Sequence, residues 1–265
     1  MTVVPRAASL AESGGSPARV RPRLVGELAV LAMLLVGYDW VRRFASVREA
    51  VALSHGRAIL HAEASLHVHL ERISNDWLTG HHDLADLAAG YYQFIHLTAA
   101  LSVLAALYIW RPAAYPRARN ALVLTNVVGL VVYALYPTAP PRLLPHAGFF
   151  DSVTAVFGTP NAPSADQYGA LPSLHLAWAT WVAVVGAALV TRRTLRWLLW
   201  LYPVMTGCVV VATANHYVVD VFTGVALGLA ATWATGALPV GRRRAPSGQG
   251  AGPAVPGDDR ASTSG

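Results

Sequence analysis

The sequence has no lysine, a single cysteine (Cys208) and only 13% charged residues, about half the roughly 25% usual in globular chains. One cysteine excludes an intrachain disulfide, so cysteine usage says nothing about redox compartment. The shortage of charge, set against 54% hydrophobic residues and a mean hydropathy of +0.42 over 265 residues, excludes an ordinary soluble domain. All 20 basic residues are arginine, and with 14 acids the net charge is +6. An excess of this kind commonly marks nucleic acid or anionic lipid as a partner. In a chain so rich in Val, Leu and Ala it points to the bilayer and away from nucleic acid.

Long apolar runs lie near 24–41, 84–110, 120–136, 173–190, 195–213 and 216–237. Most approach the roughly 20 residues that a helix needs to cross the hydrocarbon core. The expected fold is therefore an all-α integral membrane protein of six transmembrane helices. The first run is read as an uncleaved anchor, because Asp39, Trp40, Arg42 and Arg43 follow it where a signal peptide would place small residues. Residues 1–22 and 241–265, rich in Ala, Ser, Gly, Pro and Arg, are expected to be disordered cytoplasmic tails around a membrane domain at 23–240.

Between the first and second spans lies a polar segment, 44–82, in which Leu66, Leu70, Ile73 and Trp77 recur at steps of four, three and four. That spacing predicts an amphipathic helix lying on the membrane surface. Six of the ten histidines (His55, His61, His67, His69, His81 and His82) fall here. A solvated face explains them better than a metal site, since His67 and His69 diverge on a helix and no ligand spacing accompanies them.

The arginines also orient the chain. With six spans, 14 fall on the side that holds both termini and six on the other, which makes the termini cytoplasmic. The loops at 42–83, 137–172 and 214–215 then face outward. Three polar islands emerge on that outer face: Tyr136-Pro-Thr-Ala-Pro-Pro-Arg142, Leu171-Pro-Ser-Leu-His175 and Thr213-Ala-Asn-His216-Tyr-Val-Val-Asp220.

His216 and Asp220, four apart, would share a helix face, where a carboxylate fixes the imidazole tautomer and frees the other nitrogen to attack. His175 follows Pro172 and Ser173 at a helix start, where free N–H groups and a hydroxyl suit an anion. Its ordinary pKa of about 6.5 suits proton transfer to a leaving oxygen. Arg142, stiffened by two prolines, matches phosphoryl oxygens bidentately. Arg142 and Ser173 are thus candidate phosphate ligands, and His175, His216 and Asp220 candidate catalytic residues. The set describes phosphoryl transfer without metal or cofactor.

Pro172-Ser-Leu-His175 and His216-x-x-x-Asp220 resemble two signatures of the type 2 phosphatidic acid phosphatase superfamily, whose six-helix fold is related to the vanadium haloperoxidases. The strings APPR, PSLH and NHYVVD are similar to its inositol phosphorylceramide synthase-like branch. The resemblance implies that His216 is a nucleophile forming a phosphohistidine, that Asp220 orients it, and that His175 protonates the departing alcohol. It also implies a lipid or polyprenyl phosphate substrate at the outer face of the plasma membrane, with water or an alcohol such as inositol as acceptor. Two elements of the pattern are missing. The lysine-containing first signature is absent, with Arg142 in its place, and Cys208, Val209 and Val210 stand where a Ser-Arg pair precedes the nucleophile. A non-catalytic lipid-phosphate binding or transport protein is the alternative.

Overall fold

The computed structural model describes residues 22–158 and 168–237, so the expected tails lie, Pro22 apart, outside the described residues. Nine α-helices follow in order: α1 (Leu24–Ser46), α2 (Glu49–Ser65), α3 (Leu70–Thr79), α4 (His82–Trp110), α5 (Tyr115–Leu135), α6 (Ser152–Phe157), α7 (Leu174–Ala187), α8 (Arg193–Ala212) and α9 (Val218–Ala234). A single 3₁₀ turn, Pro141–Leu143, and one isolated bridge between Thr138 and Gly169 complete the regular structure of the described residues.

Among the described residues four helices are long and apolar enough to cross a membrane: α1, over Leu24–Val41, and α4, α5 and α8. The expected fourth and sixth spans are shorter than their apolar runs. α7 and α9 have 14 and 17 residues; at 1.5 Å per residue they reach about 21 and 26 Å, less than the ~30 Å hydrocarbon core. The cause is local. Ser173 is spent on the entry to α7 and His216 with Tyr217 on the entry to α9, and each helix also stops three residues before its run does, at Ala187 and Ala234.

The polar segment folds as two helices, broken at 66–69, where His67 takes a left-handed φ of +59°. Leu66 therefore caps α2 and leaves the stripe as Leu70, Ile73 and Trp77 on α3. These three are 55–64% exposed, whereas Glu71, Asn75 and Leu78 on the opposite face are buried. α3 thus turns its polar side inward. His61, His67, His69, His81 and His82 are exposed, as a solvated face requires. His55 is half-buried, bonded through Nδ1 to the Pro137 carbonyl and stacked on Tyr136.

α7 sits at the centre, against α4, α5, α8 and α9. Ten of its 14 residues are buried, as suits a helix apolar on every side. Trp181 is wholly buried and donates its Nε1–H to the Ala118 carbonyl at 2.9 Å. The contact with α9 is the tightest: a Cβ at Gly224 would lie 2.3 Å from the Ser173 carbonyl oxygen, and one at Gly228 2.6 Å from that of Ala177. Two glycines four apart form the small-residue stripe that lets membrane helices meet backbone to backbone.

Gly224→Ala is expected to force α7 and α9 apart and cost about 1–3 kcal/mol, as overpacking does. Gly26→Ala, with nothing within 4 Å of the added carbon, should be neutral or slightly stabilising. Thermal melting of the two variants in detergent checks the contrast; equal melting temperatures would contradict the close-contact account.

Candidate active site

The turn after α8 delivers the first histidine. Ala214 adopts a left-handed φ of +52°, and the amides of Asn215 and His216 both donate to the Val210 carbonyl, which folds the chain back sharply before α9. His216 is 3% exposed and lies before the helix, with Tyr217 as N-cap. Its Nδ1 lies 2.8 Å from the Ala170 carbonyl oxygen and 3.5 Å from Asp220 Oδ2. A carbonyl only accepts, so Nδ1 carries the proton and the lone pair of the neutral ring is on Nε2. His216 and Asp220 keep the expected side-chain approach, although the chain enters α9 only after His216. The backbone carbonyl is the nearer orienting partner.

His175 occupies the first turn of α7, and its Nδ1 is 3.4 Å from His216 Nε2. Tyr92 of α4 stacks on its ring at 4.3 Å, and His96, one turn further on, meets it edge-on at the same centroid distance. Trp178 lies beside His96 at 5.5 Å. The Ser173 hydroxyl oxygen accepts from the Leu176 amide at 3.3 Å as the N-cap of α7. Capping is therefore the contact the structure gives this residue.

Arg142 joins the same end of the bundle. Its backbone N–H donates to the Ala214 carbonyl, its Nε–H to Asn215 Oδ1 at 2.7 Å, and its Nη1–H to Asp151 Oδ2 at 2.7 Å. The remaining amino group, Nη2, has no acceptor among the described residues. Asp151 also caps α6 through Thr154, and Asn75 of α3 ties the adjoining Phe150 backbone to the end of α8 at Ala212. The three polar islands read from the sequence thus converge, with Asn215 linking Arg142 to the His216 turn.

The first three amides of the α9 entry each meet a different carboxylate. Tyr217 N donates to Asp220 Oδ2 at 2.9 Å, Val218 N to Glu71 Oε1 at 2.7 Å and Val219 N to Glu63 Oε1 at 2.8 Å. Sequence reasoning missed Glu63, Glu71, Asn75, Asp151, Tyr92 and His96. Part of the signal was present: Glu71, Asn75 and Leu78 repeat at four and three, a second stripe opposite the apolar one. Asp151 precedes Thr154 at N-cap spacing. His96 carried no pattern, since one histidine in a long apolar run has no partner in sequence. Among the described residues no group of three His, Cys, Asp or Glu side chains could hold a metal ion.

These features define a class: an all-helical membrane protein whose buried polar groups gather at the entries of two short apolar helices. A profile described as PAP2 superfamily matches residues 57–234, about two thirds of the chain, and the protein belongs to that superfamily. The match runs from within α2 to the last residue of α9. The crystal structure of Aquifex aeolicus LpxE is similar at 20% identity, over 63% of this chain and 92% of that one, with a TM-score of 0.49. No curated protein matches the chain.

Asn215→Ala removes the acceptor of a buried Arg142 donor and is expected to cost about 1–3 kcal/mol. Arg142→Lys keeps the charge but cannot hold Asn215 and Asp151 at once, so it should destabilise to a similar degree. Melting curves test both; an unchanged Arg142→Lys protein would show that the fork geometry is dispensable.

Proposed function

We propose that the protein is a lipid-phosphate phosphatase or phosphotransferase acting at the outer membrane face through a phosphohistidine on His216. The observation that carries this reading is the His216 ring, with Nδ1–H held by the Ala170 carbonyl and the lone pair on Nε2 directed toward His175. Nε2 attacks phosphorus, the P–O bond to the lipid alcohol breaks, and His175 gives its proton to the departing oxygen. Water or an alcohol then attacks the phosphohistidine. His175 takes the proton from it, and the N–P bond breaks. A phosphoryl group does not fit in a 3.4 Å gap between ring nitrogens, so the His175–His216 contact opens as substrate enters. His216 is locked from behind by the Ala170 carbonyl, so the opening falls to His175, which slides against Tyr92 and His96.

Arg142 Nη2 supplies a fixed cation for the phosphoryl oxygens, and its other two nitrogens are already anchored. Ser173, whose oxygen caps α7, supports the anion site at that helix start indirectly. α1, α4, α5, α7, α8 and α9 form the six spans, with both termini cytoplasmic. α2 and α3 lie at the interface, a placement supported by the exposed Leu70, Ile73 and Trp77. The phosphatidic acid phosphatase-type bundle and the inositol phosphorylceramide synthase-like motifs favour a lipid or polyprenyl donor. Inositol is a candidate acceptor in competition with water.

A donor screen on purified protein, with and without inositol, separates free phosphate from transferred product. His216→Ala is expected to abolish both; full activity in that variant would end this mechanism. His175→Ala should lose about 10²–10⁴-fold on an alkyl phosphate and much less on p-nitrophenyl phosphate, whose leaving group needs no proton. Binding of lipid phosphate without turnover would identify a non-catalytic carrier instead. A cysteine introduced at Ala147 should react only from outside the cell.

A further inference from the structure

The α9 entry holds more carboxylate than a helix N-terminus can use. Glu63 from α2, Glu71 from α3 and Asp220 from α9 are 7%, 1% and 0% exposed, and each accepts one of three consecutive amides through one oxygen. The second oxygens, Glu63 Oε2, Glu71 Oε2 and Asp220 Oδ1, are buried with no donor among the described residues. Glu71 and Glu63 accept from consecutive amides, Val218 and Val219, which brings their carboxyls together at one turn. Two acceptor oxygens facing each other in a buried site are satisfied only if one of them carries a proton.

We propose that Glu63 and Glu71 are positioning residues that share one proton across the start of α9 and thereby fix His216 against Ala170. The inference rests on the functional reading above for its catalytic consequence, though not for its geometry. The amides they hold, Val218 and Val219, follow His216 by two and three residues, and Asp220 holds Tyr217 between them. Gly56 admits α2 to this position: a Cβ there would sit 2.5 Å from the Ala139 carbonyl and 2.7 Å from the Tyr217 hydroxyl. Tyr217 in turn donates that hydroxyl to Ala139 at 2.8 Å, closing the back of the turn.

Burial, then the Glu71 carboxyl beside it, pushes Glu63 up to about 8, opposed by the Val219 amide. The titratable groups facing it are Glu71 from α3 and Asp220 from α9, with Tyr217 behind them and His216 bonded to Asp220. The folded state retains a proton that a free glutamate loses near 4.5, so this group's support for the fold declines as pH rises from about 4.5 and is gone above about 8. Above that point the second carboxylate ionises, mutual repulsion opens the pair, and the α9 entry loosens.

Glu63→Gln tests this directly. Its amide oxygen still accepts from Val219 and its amide N–H replaces the shared proton. Near-normal kcat at neutral pH is expected, without the fall in activity near pH 8 that is expected of the unmodified protein. Glu63→Ala should lower kcat by about 10²-fold, as small misplacements of catalytic groups do, with KM little changed. Hydrogen exchange over residues 217–221, corrected for the intrinsic pH dependence, should show protection lost above pH 8 in the unmodified protein and kept in Glu63→Gln. The same alkaline exchange profile in both, or an unaltered kcat in Glu63→Ala, would overturn the proposal. If no lipid phosphate is turned over, the functional reading fails, and the exchange profiles still decide between a shared proton and none.

Discussion

The contact of α7 with α9 through Gly224 and Gly228 is the constraint on which the rest of the site depends. Lipid tails are as apolar as leucine side chains, so hydrophobicity alone does not draw two membrane helices together; close packing does. Here the packing reaches the backbone, with Gly224 lying over the Ser173 carbonyl. That places the N-terminal turns of the two helices side by side, and the Ser173 amide donates across the seam to the Asp220 carbonyl at 3.2 Å. His175, two residues into one chain, and His216, just before the other helix, are then neighbours without any further device. Each helix begins directly at this junction.

The junction also divides the work between acceptors. In a triad the carboxylate holds the imidazole N–H. Here the Ala170 carbonyl does so at 2.8 Å, and that carbonyl is fixed by its own strand-like pairing, since the Ala170 amide donates to Thr138. Asp220 is left to accept from Tyr217 and to stand 3.5 Å from the ring as a nearby charge. A dipole sets the tautomer and an anion sits in reserve for the imidazolium. Under the proposed mechanism, this placement suits a ring that is neutral when it attacks and carries positive charge afterwards.

Several parts were legible in sequence for identifiable reasons. Helices at 24–46, 82–110 and 193–212 announced themselves by length and hydropathy. His175, His216 and Arg142 stood out because ionisable residues are scarce in such a chain. Their convergence followed from which loops share a side. The nearer contact of His216 with the Ala170 carbonyl was hidden, because nothing in the local sequence shows that Ala214 turns left-handed before α9 begins. Glu63, Glu71 and Asn75 were hidden among the charged residues of a segment that reads as solvent-facing. Tyr92 and His96 were hidden the opposite way, inside a 29-residue helix whose composition says only that it spans.

α3 shows what that segment does instead. An amphipathic helix on a soluble protein turns its apolar face to the core and its charges to water. α3 does the reverse: Glu71 and Asn75 face the protein, each bonded to backbone groups, and Leu70, Ile73 and Trp77 face out. In water that outer face would be an uncovered apolar patch, and without its bonds to α9, Phe150 and Ala212 the inner face would carry buried unpaired polar groups. Both faces are satisfied together only where lipid meets the outside and the polar site meets the inside. On the interfacial placement proposed for α3, its two faces tie the height of the histidine pair to the membrane surface.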